Sequence, residues 1–351
     1  MWLLTNETPF AAERTWTRDE RGAEFWLVAV RACFEIDPDG RQSPAPKQTP
    51  VQRVPEFAGD PLSTGLVTDS DFVLEKTSTD ILVRGHAYAP ERRPTTRCRV
   101  RLKVSTIDKS LDVVGERRIF RGAIGAALTE PQPFLDMPLT WERTYGGWDR
   151  TGKSEAWEPA NPAGIGFATD PAHLYDSQAP NVEYPDAPYS GPGAGRPAAF
   201  GPVAPHWQPR VGYAGTYDKR WQESRDPLLP ADFDRRFFRA APVDQQTQAP
   251  LVGYEEVRLG GMTPDGFLGF ILPRIKFDII TAFRGTGDVR QEPSIHTLWL
   301  FPDARRFEIV YLSALEVPPS REEKLVGTTL RVRPRIGTPA SILRSGVWSA
   351  A

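Results

Sequence analysis

The sequence predicts a mainly β protein: a two-lobed antiparallel β-sandwich or barrel-like architecture with long Pro/Gly-rich loops and little helix. Three observations carry that expectation. Proline and glycine number 35 and 29 among 351 residues, and so many backbone breakers exclude a helical bundle or a coiled coil. Apolar stretches are short, and several alternate with period two, as half-buried strands do. Hydrophobic residues make up 40% and charged residues 25% of the chain, a globular balance with enough chain for a real core.

The first 150 residues read as an N-terminal β lobe. Phe25 to Ile36 begins apolar on both faces and then alternates, with Ala32, Phe34 and Ile36 on one side and Arg31 and Glu35 on the other. This predicts a strand that enters covered and leaves at the surface. Ile81 to Tyr88 predicts a neighbouring strand, with Gly85 at a bulge or close approach. The clearest alternation is Arg97 to Ser105: Cys98, Val100, Leu102 and Val104 face one way, and Arg97, Arg99, Arg101 and Lys103 the other. Asp108-Lys109 then predicts a turn into a partner strand over Leu111 to Phe120.

Residues 151–250 differ. They hold 15 of the 35 prolines, together with Trp157, Trp207 and Trp221 and the tract Ser190-Gly191-Pro192-Gly193-Ala194-Gly195. A plain linker would lack these aromatics, so an ordered, irregular connector is expected, packed on both lobes with its tryptophans buried. The glycine tract is its expected mobile loop. Residues 251–345 read as a C-terminal β lobe. Phe267 to Leu272, Phe277 to Phe283, Thr297 to Phe301 and Phe307 to Leu312 are strands, the last two joined as a hairpin by Pro302-Asp303-Ala304-Arg305. Leu330 and Val332, alternating with Arg331, Arg333 and Arg335, predict an edge-like closing strand. Ser320 and Glu323 predict one helical turn with a capping box. No period of 20–50 residues repeats, which argues against propellers and solenoids.

Charge and motifs narrow the function. Lys plus Arg is 43 and Asp plus Glu is 45, without the basic excess or basic tail expected of a nucleic-acid binder. No apolar stretch approaches membrane-spanning length, and the N-terminus has no leader-like pattern, so a cytoplasmic protein without membrane insertion is expected. Two cysteines, Cys33 and Cys98, make neither a disulfide framework nor a metal motif. His86, His173, His206 and His296 are isolated from one another, and there is no G-x-S-x-G, no GxxxxGK[ST] and no GxGxxG opening a helix. The expectation is therefore a non-enzyme with no catalytic residue, cofactor or metal. Glu142, Asp149, Asp232 and Asp234 are the carboxylates that a glycosidase could pair, although acids in turns ordinarily cap backbone. The stripe Arg97, Arg99, Arg101 and Lys103, with Arg331 and Arg333, is the candidate partner-binding surface. Its alternative is a solvated edge protected from aggregation.

Several strings, in order, carry a resemblance. They are Asn6-Glu7-Thr8-Pro9-Phe10 followed by Trp26 to Val30, Lys76-Thr77-Ser78-Thr79-Asp80-Ile81, and Gly85-His86-Ala87-Tyr88-Ala89-Pro90. Met137-Pro138-Leu139-Thr140-Trp141-Glu142-Arg143-Thr144-Tyr145-Gly146-Gly147 and Asn161-Pro162 come next. Pro180-Asn181-Val182-Glu183, Gly215-Thr216-Tyr217-Asp218 with Trp221, and Pro230-Ala231-Asp232-Phe233-Asp234 complete the set. Over about residues 1–335 the chain resembles a bacterial domain-of-unknown-function family of type VI secretion effector chaperones or adaptors. These are encoded beside PAAR-like and valine-glycine-repeat spike proteins.

The resemblance implies a cytoplasmic chaperone that stabilises an effector or its PAAR-like domain and promotes its loading on the spike. The partners would be that cargo or the valine-glycine-repeat spike. It supplies no catalytic residues to carry over. Most residues in these strings are of the types that fix turns or fill cores, so they read as structural; a partner site is expected on an exposed strand edge, where Arg97–Ser105 or Arg331–Arg335 could take an added strand, or on the tract near Gly191. The alternative function is a carbohydrate-binding or glycoside-hydrolysing β protein, with tryptophan platforms and paired carboxylates. A structural component of an envelope machine is the third reading.

Overall fold

The alternating stretches become three larger sheets in the computed structural model, which describes residues 2–151 and 154–333. The chain is mainly β, with only two short α-helices among the described residues and no sheet closed into a barrel. In the six-stranded sheet Ala11–Arg18 pairs with Glu24–Ile36, then come Arg306–Glu316, Ser294–Phe301 and, in parallel, Asp80–Val83; Gln42–Pro44 adds to Glu24–Ile36. The five-stranded sheet runs Val182–Glu183, Ile107–Val114, Arg97–Val104, Glu256–Gly260, Phe267–Ile271. The four-stranded one runs Leu3–Asn6, Leu325–Val332, Phe277–Phe283, Thr286–Gln291, its first pair parallel. Each sheet combines strands from before residue 150 with strands from after residue 250. One core cluster joins all three, Phe34, Leu102 and Ile279 being among its buried members.

Alternation places each face as expected at Arg97–Val104, where every second residue is buried. The expected hairpin over Pro302 to Arg305 also forms, as a 3-10 turn between Ser294–Phe301 and Arg306–Glu316, with Arg305 left-handed at φ 46°. Other expectations are corrected. The Arg97 and Leu325 strands lie inside their sheets, not at the edges, and are paired on both sides over residues 101–104 and 327–330. A solvated sheet face and a sheet edge both write charge at every second residue, so period two cannot separate them. The stretch Ile81 to Tyr88 divides into Asp80–Val83 and His86–Tyr88 in different sheets. Between them Gly85 lies so close to Pro302 that a Cβ would come 3.0 Å from its Cγ. The turn after Val104 falls at Ser105-Thr106, with Ser105 at φ 53°, not at Asp108-Lys109. The helical turn Pro319–Glu322 starts after Pro318 with Ser320 inside it and no side-chain cap, because Pro319 is already preset for the first position.

Two buried cations organise the covering layers. Arg31, expected at the surface, is 4% exposed, because Val51 and Val73 pack over Leu27, Ala29 and Leu312 on that face. Its Nε donates to Glu308 Oε2 at 2.6 Å and its Nη1 to Asp71 Oδ2 at 3.0 Å. Lys109, expected in a turn, is a strand residue aimed inward. Its ammonium donates to the Ala199 carbonyl at 2.8 Å, Asp244 Oδ1 at 2.9 Å and Gln245 Oε1 at 2.7 Å. Burial pushes that ammonium down to about 8, against the opposing pull of Asp244.

The connector is thereby fixed along the sheet. Gln245 donates to the Ile81 and Phe200 carbonyls, and the Val83 N–H donates to Phe200, so the open side of Asp80–Val83 is covered. Trp207 is buried as expected and Trp221 half-buried, but Trp157 is exposed, its ring stacked on Trp148 at 4.7 Å.

Replacing Arg31 by Met should destabilise the chain by about 3–5 kcal/mol, because Asp71 is left buried without a counter-charge and Glu308 keeps only Arg306; urea unfolding measures it. Between the folded value of about 8 and the ordinary 10.5 for Lys109, the unfolded chain binds more protons than the folded one. The Lys109 contribution to stability therefore rises with pH across that window. From about pH 8 to about pH 9.5 the wild type should gain about 1.5 kcal/mol more than Lys109→Met. Parallel pH profiles for the two proteins would contradict the assignment.

Candidate functional site

Two of the strings quoted above converge on one groove. Gly85-His86 lies after the Asp80–Val83 strand, and Pro138 to Glu142 enters a 3-10 turn at Trp141–Arg143. Together with the Ser294–Phe301 strand end and Gly201-Pro202 of the connector they enclose about 470 Å³. Its walls are mostly apolar. Trp141 is buried, its indole N–H donating to the Pro202 carbonyl at 2.8 Å and its ring set edge-on to Trp207. Trp299 is buried as well and stacks on half-buried Phe301.

Arg84, His86, Thr140, Glu142 and Asp303 also line it. The His86 Nδ1 is 2.7 Å from Asp303 Oδ2, and Asp303 Oδ1 accepts from the Tyr88 hydroxyl at 3.2 Å. Partial burial, then the Asp303 charge, raises the Tyr88 phenol above its ordinary value. Glu142 Oε1 accepts from the Gly65 N–H at 2.7 Å. Arg84 is exposed at the groove and makes no ion pair or side-chain hydrogen bond among the described residues. An apolar groove with one uncommitted cation suits the binding of an apolar segment that carries an acid. Sequence reasoning missed Arg84, Trp299, Phe301 and the Asp303 side of the dyad. Pro302-Asp303 was legible only as a turn, and no local signal pairs it with His86.

The carboxylates considered for glycoside chemistry are dispersed and committed. Asp149 accepts from Thr151, Thr169 and His173, and those hydrogen bonds, Thr151 first, hold its carboxyl well below the usual range. Asp232 accepts from the Thr216 N–H at 2.9 Å and Asp234 from the Arg236 N–H at 2.8 Å. Both lie in the connector, and neither lines the groove that Glu142 enters.

The basic stripe faces solvent but is largely neutralised. Arg99 is bidentate to Asp112 (2.6 and 3.1 Å) and Arg101 to Asp108 (2.7 and 2.5 Å), while Arg97 reaches Asp112 and Glu183. Hydrogen bonding from Arg101 pulls the Asp108 carboxyl down. Lys103 has no ion pair among the described residues. Arg331 is bidentate to Glu7, and Arg333 lies near Asp278 and Glu292; Arg335 falls outside the described residues.

The remaining string positions hold the chain together. The Asn6 amide donates to the Phe10 carbonyl, and Phe10, which follows exposed Pro9, packs on Phe34. Buried Lys76 pairs with Asp80 at 2.7 Å. Arg143 reaches Glu116 and Asn181, and the Asn181 amide donates to the Val114 carbonyl. Glu183 accepts from Arg117 and from the Tyr189 N–H, whose ring lies against Tyr145. Asp218 caps the helix Lys219–Ser224 at the Trp221 N–H. At Gly146, φ is 152° and a Cβ would stand 2.1 Å from the Asn161 carbonyl oxygen; at Gly147, φ is 101° and a Cβ would meet the Gly164 carbonyl. The Asn161 amide in turn donates to Trp141, Thr144 and Tyr145, which fixes the string that presents Glu142.

Among the described residues no group of three His, Cys, Asp or Glu side chains is placed to hold a metal ion, and no helix is long and apolar enough to cross a membrane. A family model described as an uncharacterized protein conserved in bacteria (DUF2169) matches residues 21–312, most of the chain. No curated protein and no solved structure matches it.

Gly146→Ala should be severely destabilising, by about 4 kcal/mol or more, since backbone stands where the methyl must go. Gly287, whose Cβ would meet nothing within 4 Å, should tolerate alanine to within about 0.5 kcal/mol. Thermal or denaturant unfolding of the two variants makes the comparison.

Proposed function

The chain belongs to this bacterial family of uncharacterized proteins, and from that premise we propose that it is a non-catalytic adaptor or chaperone. It binds and stabilises a type VI secretion effector or its PAAR-like domain in the cytoplasm and promotes loading on the secretion spike. The groove carries the reading. Its walls are mostly apolar, Arg84 offers an unpaired cation at it, and two strings of the resemblance supply part of its lining. A segment of cargo that is insoluble when exposed would gain burial there. The basic stripe supports the reading less well, since carboxylates of the same chain already occupy most of it. Strand addition at the Arg97 or Leu325 strands fits less well, since residues 101–104 and 327–330 are already paired on both sides, so on this reading cargo docks through side chains in the groove.

A carbohydrate-binding or glycoside-hydrolysing role is the second reading, because Glu142 and Asp303 line the same groove. It fits less well. Trp141 and Trp299 are only 6% and 3% exposed, so their faces are not free to stack on a sugar.

Co-expression with the PAAR-like or effector protein encoded next to it, followed by affinity capture and size-exclusion, tests the reading. A stable stoichiometric complex is expected, with cargo that is insoluble or degraded when made alone. Arg84→Glu should weaken capture about tenfold without moving the unfolding midpoint. Cargo that is soluble alone and ignores this chain would end the adaptor reading and leave glycan binding to be measured.

A further inference from the structure

A second cavity, of about 310 Å³, opens where the segment after Pro250 meets the Phe277–Phe283 and Ser294–Phe301 strands. Its lining is layered. Leu251, Ile275 and Phe277 form buried apolar walls. Tyr311, 3% exposed, also lines it, and its hydroxyl has no hydrogen-bond partner. Most buried polar side chains are paired, and an unpaired one is costly to keep. Other buried polar atoms here lack partners too, but Tyr311 combines near-complete burial with a place in a cavity wall. Burial, followed by the negative charge of Glu255, pushes its phenol far up, so the group remains a donor.

The rim is basic. Arg274 and Lys276 are exposed and make no ion pair among the described residues, Arg274 lying over the Tyr254 ring at 5.8 Å. Arg333 also lines the cavity, 3.4 Å from Glu292, the one carboxylate of the lining.

We propose that this cavity binds an amphipathic carboxylate, with the anion at Arg274 and Lys276, the apolar body against Leu251, Ile275 and Phe277, and an acceptor meeting the Tyr311 hydroxyl. Two unpaired cations at the mouth select the charge, the walls select an apolar body, and the hydroxyl selects one polar atom within it. The free end of a polypeptide and a small free acid share this chemistry. The proposal is independent of the adaptor reading, since neither its site nor its ligand requires secretion cargo.

Isothermal titration of the full-length protein tests it with N-acetylglycyl-phenylalanine, the corresponding C-terminal amide and 3-phenylpropionate. Both acids should bind, and the amide at least about tenfold more weakly. Tighter binding of the dipeptide than of phenylpropionate would assign the site to a polypeptide end, and the reverse to a free acid. Lys276→Glu, at an exposed position, should lower affinity about tenfold. Tyr311→Phe should lower it about fivefold while leaving the unfolding midpoint unchanged or raised, since it removes an unpaired group. Failure of both acids to bind at millimolar concentration overturns the proposal. So does equal binding of acid and amide, or unaltered affinity in Lys276→Glu.

Discussion

The Lys109 ammonium donates into two separate stretches of the connector, at Ala199 and at Asp244-Gln245, and the placement of the Pro-rich middle follows from it. Gln245 passes the contact on to Ile81 and Phe200. The Tyr184 hydroxyl donates to Asp244, and the Tyr184 and Phe200 rings flank the cation at 5.3 Å. A buried ammonium is tolerable only when its protons are used. The connector carries the acceptors, so it cannot leave without stranding the charge. This explains how a segment with few ladder hydrogen bonds of its own stays ordered on the sheets, and why Gly201-Pro202 arrives at the groove wall in a fixed position.

A related constraint governs the outer faces. The Arg97–Val104 strand places cations at every second position, and its neighbour supplies Asp108 and Asp112 opposite them. Cross-strand pairing of this kind keeps an open sheet face hydrated and close to neutral. The apolar edge Phe267–Ile271 is protected differently: the Gln42 side chain donates to the Ile271 carbonyl at 2.7 Å, occupying one of its outward backbone groups. What sets the two concave places apart is that unpaired cations stand beside apolar walls there, Arg84 at the groove and Arg274 and Lys276 at the second cavity.

The parts of this arrangement visible in the sequence were those that local chemistry decides. Alternation over Arg97 to Val104 and the apolar stretch over Glu24–Ile36 placed two strands and their buried faces, and Pro302 to Arg305 announced its hairpin. Arg31 and Lys109 could not be placed this way. A charged residue at an inward position reads as a face change or a turn unless its partners are known, and Glu308, Asp71 and Asp244 lie 277, 40 and 135 residues away. The groove failed for the same reason: His86 and Asp303 are 217 residues apart. The strings of the resemblance did point to it, though only as turn and core residues.

Those structural roles are what fix the shape of the groove. Glycines at 146 and 147 let the Trp141 to Gly147 segment close on the Asn161 and Gly164 carbonyls, and the Asn161 amide locks the Trp141, Thr144 and Tyr145 positions. Trp141 is thereby held with its N–H on Pro202 and its ring on Trp207, which leaves Glu142 directed at Gly65. The walls of the groove thus come from different stretches of chain, and the Trp141 to Gly147 stretch is anchored by Asn161, outside the groove. A surface built this way is rigid before any ligand arrives, so a partner would bear little of the ordering cost on binding. On the adaptor reading proposed above, pre-organisation of this kind would favour an extended cargo segment over a partner around which the site must first fold.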